Sequence, residues 1–512
     1  MSKNIGSEPL GRFYTGKKPK RRREWRGLKD TWYDYVRWLG YWKTLITFII
    51  KPNNMKGFFR YRWMINYLAL PDFMDRHTEG MRGTQLRMAH QALGLIVTDI
   101  CGMLGQIFKA DPAIGNDKKL NSKIVLFDEN MMSTLMGGFP NLTWLSVEVP
   151  AVYTSSMMSQ DGVSYYVDVT HQYGVPSDVC PMPAAELGVA LAEDFPLIGC
   201  CAVQCNTTCD GSLMGNGIEA RSFKIPTFQL AVPIRHRQES VQEYAAEEVV
   251  NAIHFIEEQT GEKFDWDAFF KSMKRFNAET EEFLEWMEIS KTDYPQVMGV
   301  TLALYRYGVY QAAGGRNQAF LDMDKKLTKM ALDAYKSKEM AAKEYRHRAM
   351  TWGVQAAYYT ALPIWLLNCW GVVTIADMLS MVSTEMVNTE DKHQAMLDLA
   401  YLYENMIMRN RSNGGYETGV EALWRFCEMF NIDIVIMYVH MGCKSMSGYH
   451  GLFEEEARKH GIHLIWVTHN LMCPEDGTRR DMRTEINRYM RTVFREEPLD
   501  PSLEDFDDSK SW

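Results

Sequence analysis

Apolar and polar positions follow two different periods along this chain, and the changes of period divide it. Between about residues 121 and 245, short apolar runs at Ile124-Val-Leu-Phe127, Trp144-Leu-Ser-Val147, Leu197 to Val203 and Thr227 to Val232 are separated by segments of helical period such as Ala184 to Glu193. Between about 349 and 495 the pattern returns. Strands are predicted there at Thr351 to Ala356, Val372 to Ala376, Ile432 to Val439 and Ile462 to Val467, and helices at Asp391 to Met408, Glu417 to Phe430 and Phe453 to His460. Short apolar runs alternating with helices build a parallel sheet with helices on its faces. The expectation is an α/β protein with two parallel-sheet lobes, 121–245 and 349–495.

The remainder reads as helical. A connector, 246–348, carries an amphipathic helix that starts near Tyr244 and ends at Gly261, a second from Trp266 to Met287 and a charged third from Leu327 to His347. Residues 1–120 read as a helical N-terminal extension with a basic arm. Within it Leu86, Ala89, Leu93, Ile96, Ile100 and Leu104 recur at helical spacing, as expected of a packing layer or a subunit contact. The acidic tail 496–512 is expected to be disordered. Ala356 to Ala376 contains no charge and is long enough to cross a bilayer. Pro363, Asn368 and Gly371 break it, so it parses as a buried helix (Tyr358 to Trp370) and a strand, and no membrane span is expected.

Composition narrows the chemistry. A net charge of −9 and a pI near 5.8 argue against a nucleic-acid binder. The basic run Lys17-Lys-Pro-Lys-Arg-Arg-Arg-Glu-Trp-Arg26 reads as a solvated arm. Ten cysteines with no apolar leader after Met1 point to a reducing, cytoplasmic setting, where cysteines serve metal or redox chemistry before disulfides. There is no C-x-x-C pair, no G-x-G-x-x-G and no Walker sequence, so nothing supports a zinc ribbon, a dinucleotide or ATP.

Three cysteines stand out by placement. Cys443, in His440-Met-Gly-Cys443, lies just past a predicted strand. Cys209, in Asn206-Thr-Thr-Cys-Asp-Gly211, does the same. In open α/β sheets ligands bind beyond the carboxyl ends of the strands. Cys180 precedes a helix at the Pro-rich corner Val175 to Pro183, where the helix's positive end favours a thiolate. Thiolates are soft ligands suited to iron–sulfur clusters or zinc. Cys201, Cys205 and Cys209, spaced by four, offer an alternative local site, while Cys101, Cys200, Cys201, Cys369 and Cys427 read as core residues. Glu129, at a helix start after a strand, and His440, three residues before Cys443, are candidates for proton transfer or hydrogen bonding. Arg235 and His236 are candidates for meeting a phosphate.

The ordered set of Cys180, Thr-Thr-Cys209-Asp-Gly, the helical Tyr244-x-x-x-Glu segment and His440-Met-Gly-Cys443 resembles the 2-hydroxyacyl-CoA dehydratase and benzoyl-CoA reductase family, over about residues 121 to 495. The resemblance implies two flavodoxin-like lobes around a 4Fe-4S cluster held by Cys180, Cys209 and Cys443, with one iron left open. It implies a homologous second subunit, a separate ATP-dependent iron–sulfur activator protein and an acyl-CoA substrate that loses its 2-hydroxyl group through a one-electron ketyl radical. A benzoyl-CoA-reductase-like subunit and a non-catalytic electron-transfer subunit of the same fold are the alternatives within the family, and a zinc-stabilised binding protein is the one outside it. Where similar proteins often place an acid after the last strand, this chain has Val467-Thr-His469-Asn.

Overall fold

The computed structural model describes residues 26–128, 133–159, 163–206, 209–233, 239–381, 384–406 and 416–506. Two four-stranded, fully parallel sheets carry the fold. The first consists of β1 (Ile124–Phe127), β2 (Thr143–Leu145), β3 (Cys201–Cys205) and β4 (Thr227–Leu230) in the order β2-β1-β3-β4. The second consists of β5 (His347–Trp352), β6 (Val372–Asp377), β7 (Ile434–His440) and β8 (His463–His469) in the order β6-β5-β7-β8. The two orders are the same plan. In each, the strand order reverses between the first and third strands, which opens a crevice at their carboxyl ends. Ile124 to Phe127 and Cys201 to Cys205 are buried throughout, as strands covered on both faces must be.

Several boundaries move from where periodicity puts them, each for a local reason. The run expected from Leu197 enters the ladder only at Cys201, because Gly199 takes φ +95° and turns the chain first. The strand expected from Thr351 to Ala356 runs instead from His347 to Trp352. Gly353, at φ +95°, ends it against the Tyr438 carbonyl, where a Cβ would stand 2.2 Å away. The third connector helix spans Gln318–Lys336 and stops before Lys338, which adopts φ +55°. The acidic tail is packed as far as Phe506 instead of disordered: Leu503 is buried, the Leu499 N–H donates to the Cys369 carbonyl at 2.7 Å, and the Trp365 indole donates to the Leu503 carbonyl at 2.8 Å. Apolar leucines among its acids pin it to the helix Leu362–Trp370; residues 507–512 lie outside the described residues.

The extension is fused into the body. Its long helix Gly83–Ala110 is, by length and composition, apolar enough to cross a membrane. Here it packs into two cores at once. Leu86, Met88, Ala89 and Ala92 join the core shared by both sheets, and Leu93, Val97, Leu104, Ile107 and Phe108 join the core beneath the first. The outer helix Leu28–Ile49 is clamped to it through Asp34, which accepts from His90 Nε2 at 2.7 Å and pairs with Arg26 at 2.6 Å. The basic arm before Arg26, Glu129, Arg235 and His236 lie outside the described residues.

Candidate functional site

Each of the three singled-out cysteines is the residue that begins a helix. Cys180 caps Pro181–Leu191, Cys209 caps Asp210–Phe223 and Cys443 caps the short Lys444–Gly448. None caps the helix backbone through its sulfur: Cys209 Sγ lies 3.7 Å from the Ser212 hydroxyl and Cys443 Sγ 3.5 Å from the Ser445 hydroxyl, and the exposed N–H groups behind the thiols favour negative charge. The Met182 N–H is directed at the Cys180 sulfur.

Two glycines bring the caps together. A Cβ at Gly211 would stand 3.6 Å from Cys209 Sγ and 3.8 Å from Cys180 Cβ, so this position lies between the two residues. Gly442, at φ +89°, lays the turn before Cys443 against the other lobe: a Cβ there would stand 2.7 Å from the Val179 carbonyl oxygen and 3.0 Å from Cys180 N. Lys444 and Asp178 pair at 3.3 Å across the same seam. All three thiols are half-buried. Burial pushes the Cys180 thiol well above its ordinary range, and negative charge on Cys209 and Cys443 pushes it in the same direction. Three sulfurs sharing one electrostatic field repel as thiolates, and a cationic centre among them relieves that repulsion.

The remaining cysteines are placed elsewhere. Cys201 and Cys205 lie in the apolar core, and the Cys205 sulfur faces Asp128 Oδ1 at 3.8 Å, so the four-residue spacing to Cys209 makes no local site. Cys200 donates to the Ile124 carbonyl at 3.1 Å, Cys369 to the Asp500 carbonyl at 3.9 Å, and Cys427 is buried. Among the described residues no three His, Cys, Asp or Glu side chains converge on one point as a single metal ion requires. A lone zinc gathers its ligands within about 2.3 Å of itself. A four-iron cluster binds each thiolate at a different iron and accepts a wider set. An all-thiol set drawn from two lobes fits the cluster.

Buried carboxyls stand behind the thiols, and sequence reasoning missed them. Glu186 lies on the Cys180-capped helix, Glu219 on the Cys209-capped helix and Glu148 just after β2, each at most 3% exposed. Burial raises the Glu148 carboxyl, while a hydrogen bond with Glu219 opposes the rise, so the two acids are coupled. The Ser146 hydroxyl donates to Glu148 Oε2 at 2.6 Å. On the other lobe, His440 ends β7 with Nδ1 3.1 Å from the Met441 carbonyl, and its ring centroid lies 6.1 Å from that of His469. His469 is fully buried, and burial, then His440, drive its pKa down to about 3, which keeps it neutral.

A cavity of about 150 Å³ opens beside this site, between the lobes. Met182, two residues past Cys180, belongs to its wall and receives a hydrogen bond from the Tyr153 hydroxyl. Ser146 and Trp144 come from the first lobe, Val354, Leu471 and Met472 from the second, and Ile96, Asp99, Ile100 and Met103 from the extension helix.

Fold and site together define a two-lobed α/β protein with three helix-capping thiols at the seam, next to a largely apolar cavity. The chain belongs to the family of the 2-hydroxyglutaryl-CoA dehydratase D-component, whose profile matches residues 135–488. It is therefore a subunit of the 2-hydroxyacyl-CoA dehydratase type, and the word component implies a partner subunit. The match includes all three capping cysteines and leaves β1 and the whole extension outside. No curated protein matches the chain in sequence.

Proposed function

We propose that this chain is the iron–sulfur subunit of a cytoplasmic radical 2-hydroxyacyl-CoA dehydratase, with a 4Fe-4S cluster on Cys180, Cys209 and Cys443 and the acyl end of the thioester in the adjacent cavity. The observation that carries the reading is that three helix-capping thiols from two lobes share one field, beside a largely apolar cavity. When bound, such a cluster supplies single electrons at low potential and leaves one iron without a protein ligand. In this reading a homologous subunit completes the enzyme and an ATP-dependent iron–sulfur activator delivers the electron.

Loss of water from a 2-hydroxyacyl thioester is redox-neutral. One electron lent to the thioester carbonyl gives a ketyl radical anion, the 2-hydroxyl leaves C2 as hydroxide, a proton lost from C3 completes the water and forms the double bond, and the electron returns at the end of the cycle. The chain's own part is to exclude water, orient the acyl group and manage that proton. The apolar walls do the first two. The Ser146 hydroxyl lies in the cavity wall and on Glu148, so a proton on Glu148 is one hydroxyl away from a ligand. His440, three residues before Cys443, serves as a hydrogen-bond donor at the seam.

The test is iron and acid-labile sulfide on anaerobically purified full-length protein. About four of each per chain are expected, with a brown colour lost in air, and replacement of any one of the three cysteines by Ser should remove most of it. Unchanged iron in all three variants would sink the assignment.

A further inference from the structure

The family's name specifies a glutaryl group, a dicarboxylate, yet the cavity of this chain is built against a second carboxylate. Its charged wall residues are Asp99 and Asp128, both acids; among the described residues no Lys, Arg or His lines it. Asp128 is already committed, accepting from the Cys205 N–H at 2.6 Å and Asn216 Nδ2 at 3.2 Å. A cation does lie nearby: the Arg316 guanidinium sits 5.3 Å over the Trp144 ring. It borders a neighbouring groove, and its charge is opposed by Asp99. A carboxylate carried into this space would meet apolar walls and two acids, and an unpaired buried charge costs several kcal/mol.

We infer that the cavity selects an uncharged, apolar acyl group of ring or short branched-chain size, and that the N-terminal extension makes the selection by supplying Ile96, Asp99, Ile100 and Met103 as one wall. The inference rests on the reading that the chain binds an acyl-CoA. An apolar cavity of about 150 Å³ is the size that takes up benzene, and this one is 150 Å³. The other walls include Val300, Leu304 and Phe320 of the helical block and Leu379 and Leu471 of the second lobe, and the polar side chains among them, such as Ser156, Gln355 and Thr360, are uncharged. Selection therefore lies on a segment that the family match does not include, and a polar acyl group would require a different residue at position 99 or 100.

The experiment measures binding, not turnover. Full-length protein, purified anaerobically with whatever subunit accompanies it, is titrated by calorimetry with 3-phenylpropanoyl-CoA, 4-methylpentanoyl-CoA, glutaryl-CoA and free CoA. The two apolar thioesters should bind at least tenfold more tightly than glutaryl-CoA. Ile100→Lys, which adds a cation to the wall, should narrow or invert that ratio. Ile100→Phe, which keeps the wall apolar and fills it, should weaken the phenylpropanoyl ester at least tenfold with free CoA unchanged, and it remains informative if the Lys variant does not fold. Glutaryl-CoA binding as tightly as the apolar esters overturns the inference and leaves the acyl-CoA reading standing. Failure of every CoA compound to bind overturns both and leaves an electron-transfer subunit.

Discussion

In the first sheet the third strand, β3, ends at Cys205, and the next helix is capped by Cys209; in the second sheet the third strand, β7, ends at His440, and the next helix is capped by Cys443. The two thiols occupy equivalent places in one repeated strand order. The third thiol breaks the equivalence. Cys180 lies in the crossover from β2 to β3, on a helix start facing the seam. The crossover from β6 to β7 has a helix capped by Asp391, and its cysteine, Cys427, is buried in the core with its thiol pushed up to about 12. Behind their thiols the lobes differ too: the first buries the acids Glu148, Glu186 and Glu219, the second the neutral His469. A repeated plan thus supplies a symmetric pair of thiols, and local sequence in one lobe supplies the third.

The largest effect expected from breaking this comparison is at the paired thiols. Cys209→Ser and Cys443→Ser should each lose most of the bound iron and to a similar degree, as equivalent places require. Cys205→Ser, one turn of chain away but in the core, should keep its iron and lose about 1 kcal/mol of stability. Iron analysis with thermal unfolding separates the two. Unequal losses at Cys209 and Cys443 would show that the pairing is only topological.

Next comes the seam. Gly442 at φ +89° faces the Val179 carbonyl with no room for a Cβ. Gly442→Ala should cost about 2 to 4 kcal/mol, from left-handed backbone strain of about 1–2 kcal/mol and the clash together. Iron loading should fall with it, because the same contact aligns Cys443 with Cys180.

These places were legible in the sequence to different degrees. The places of Cys209 and Cys443 could be read because apolar runs locate strands and the crevice of such a sheet lies beyond their carboxyl ends, and that of Cys180 because a Pro-rich corner marks a helix start. The carboxyls could not, since periodicity marks which face is buried but not which acid lies on it. Glu186 left one trace: it is the only charged residue in Pro181–Leu191. The cavity left none, because its walls come from residues 96 to 472 and meet only after the chain folds. Strand ends were missed where Gly199 and Gly353 turn the chain inside apolar runs.

Two of these buried groups, one from each lobe, respond to pH with opposite sign. The carboxyl of Glu148 is raised from an unfolded value of 4.5, so the stability it confers is full below pH 4.5 and is lost as pH rises through its folded value. His469 is lowered from 6.5 to about 3, so its contribution is full above pH 6.5 and is lost as pH falls toward 3. Each slope is about 1 kcal/mol per pH unit within its window. Glu148→Gln should flatten the decline of stability on the alkaline side, and His469→Phe the decline on the acid side. Denaturant midpoints measured from pH 4 to pH 9 would show it, and an acid limb unchanged in His469→Phe would remove His469 from the account.

The smallest expected change in stability is the most informative about the thiols. Gly211 lies in the first turn of the Cys209-capped helix, where a Cβ would meet Pro183 Cγ at 3.3 Å, Cys209 Sγ at 3.6 Å and Cys180 Cβ at 3.8 Å. These are ordinary or slightly tight contacts, and alanine favours a helix over glycine, so Gly211→Ala should leave the metal-free protein within about 0.5 kcal/mol of the parent. That methyl nevertheless stands between Cys180 and Cys209. A cluster bridging the two must move or lose a ligand to accommodate it, so the electronic spectrum or iron content of the reconstituted variant should change although its fold does not. If both the unfolding curve and the spectrum match the parent, the two thiols do not share a cluster across this gap.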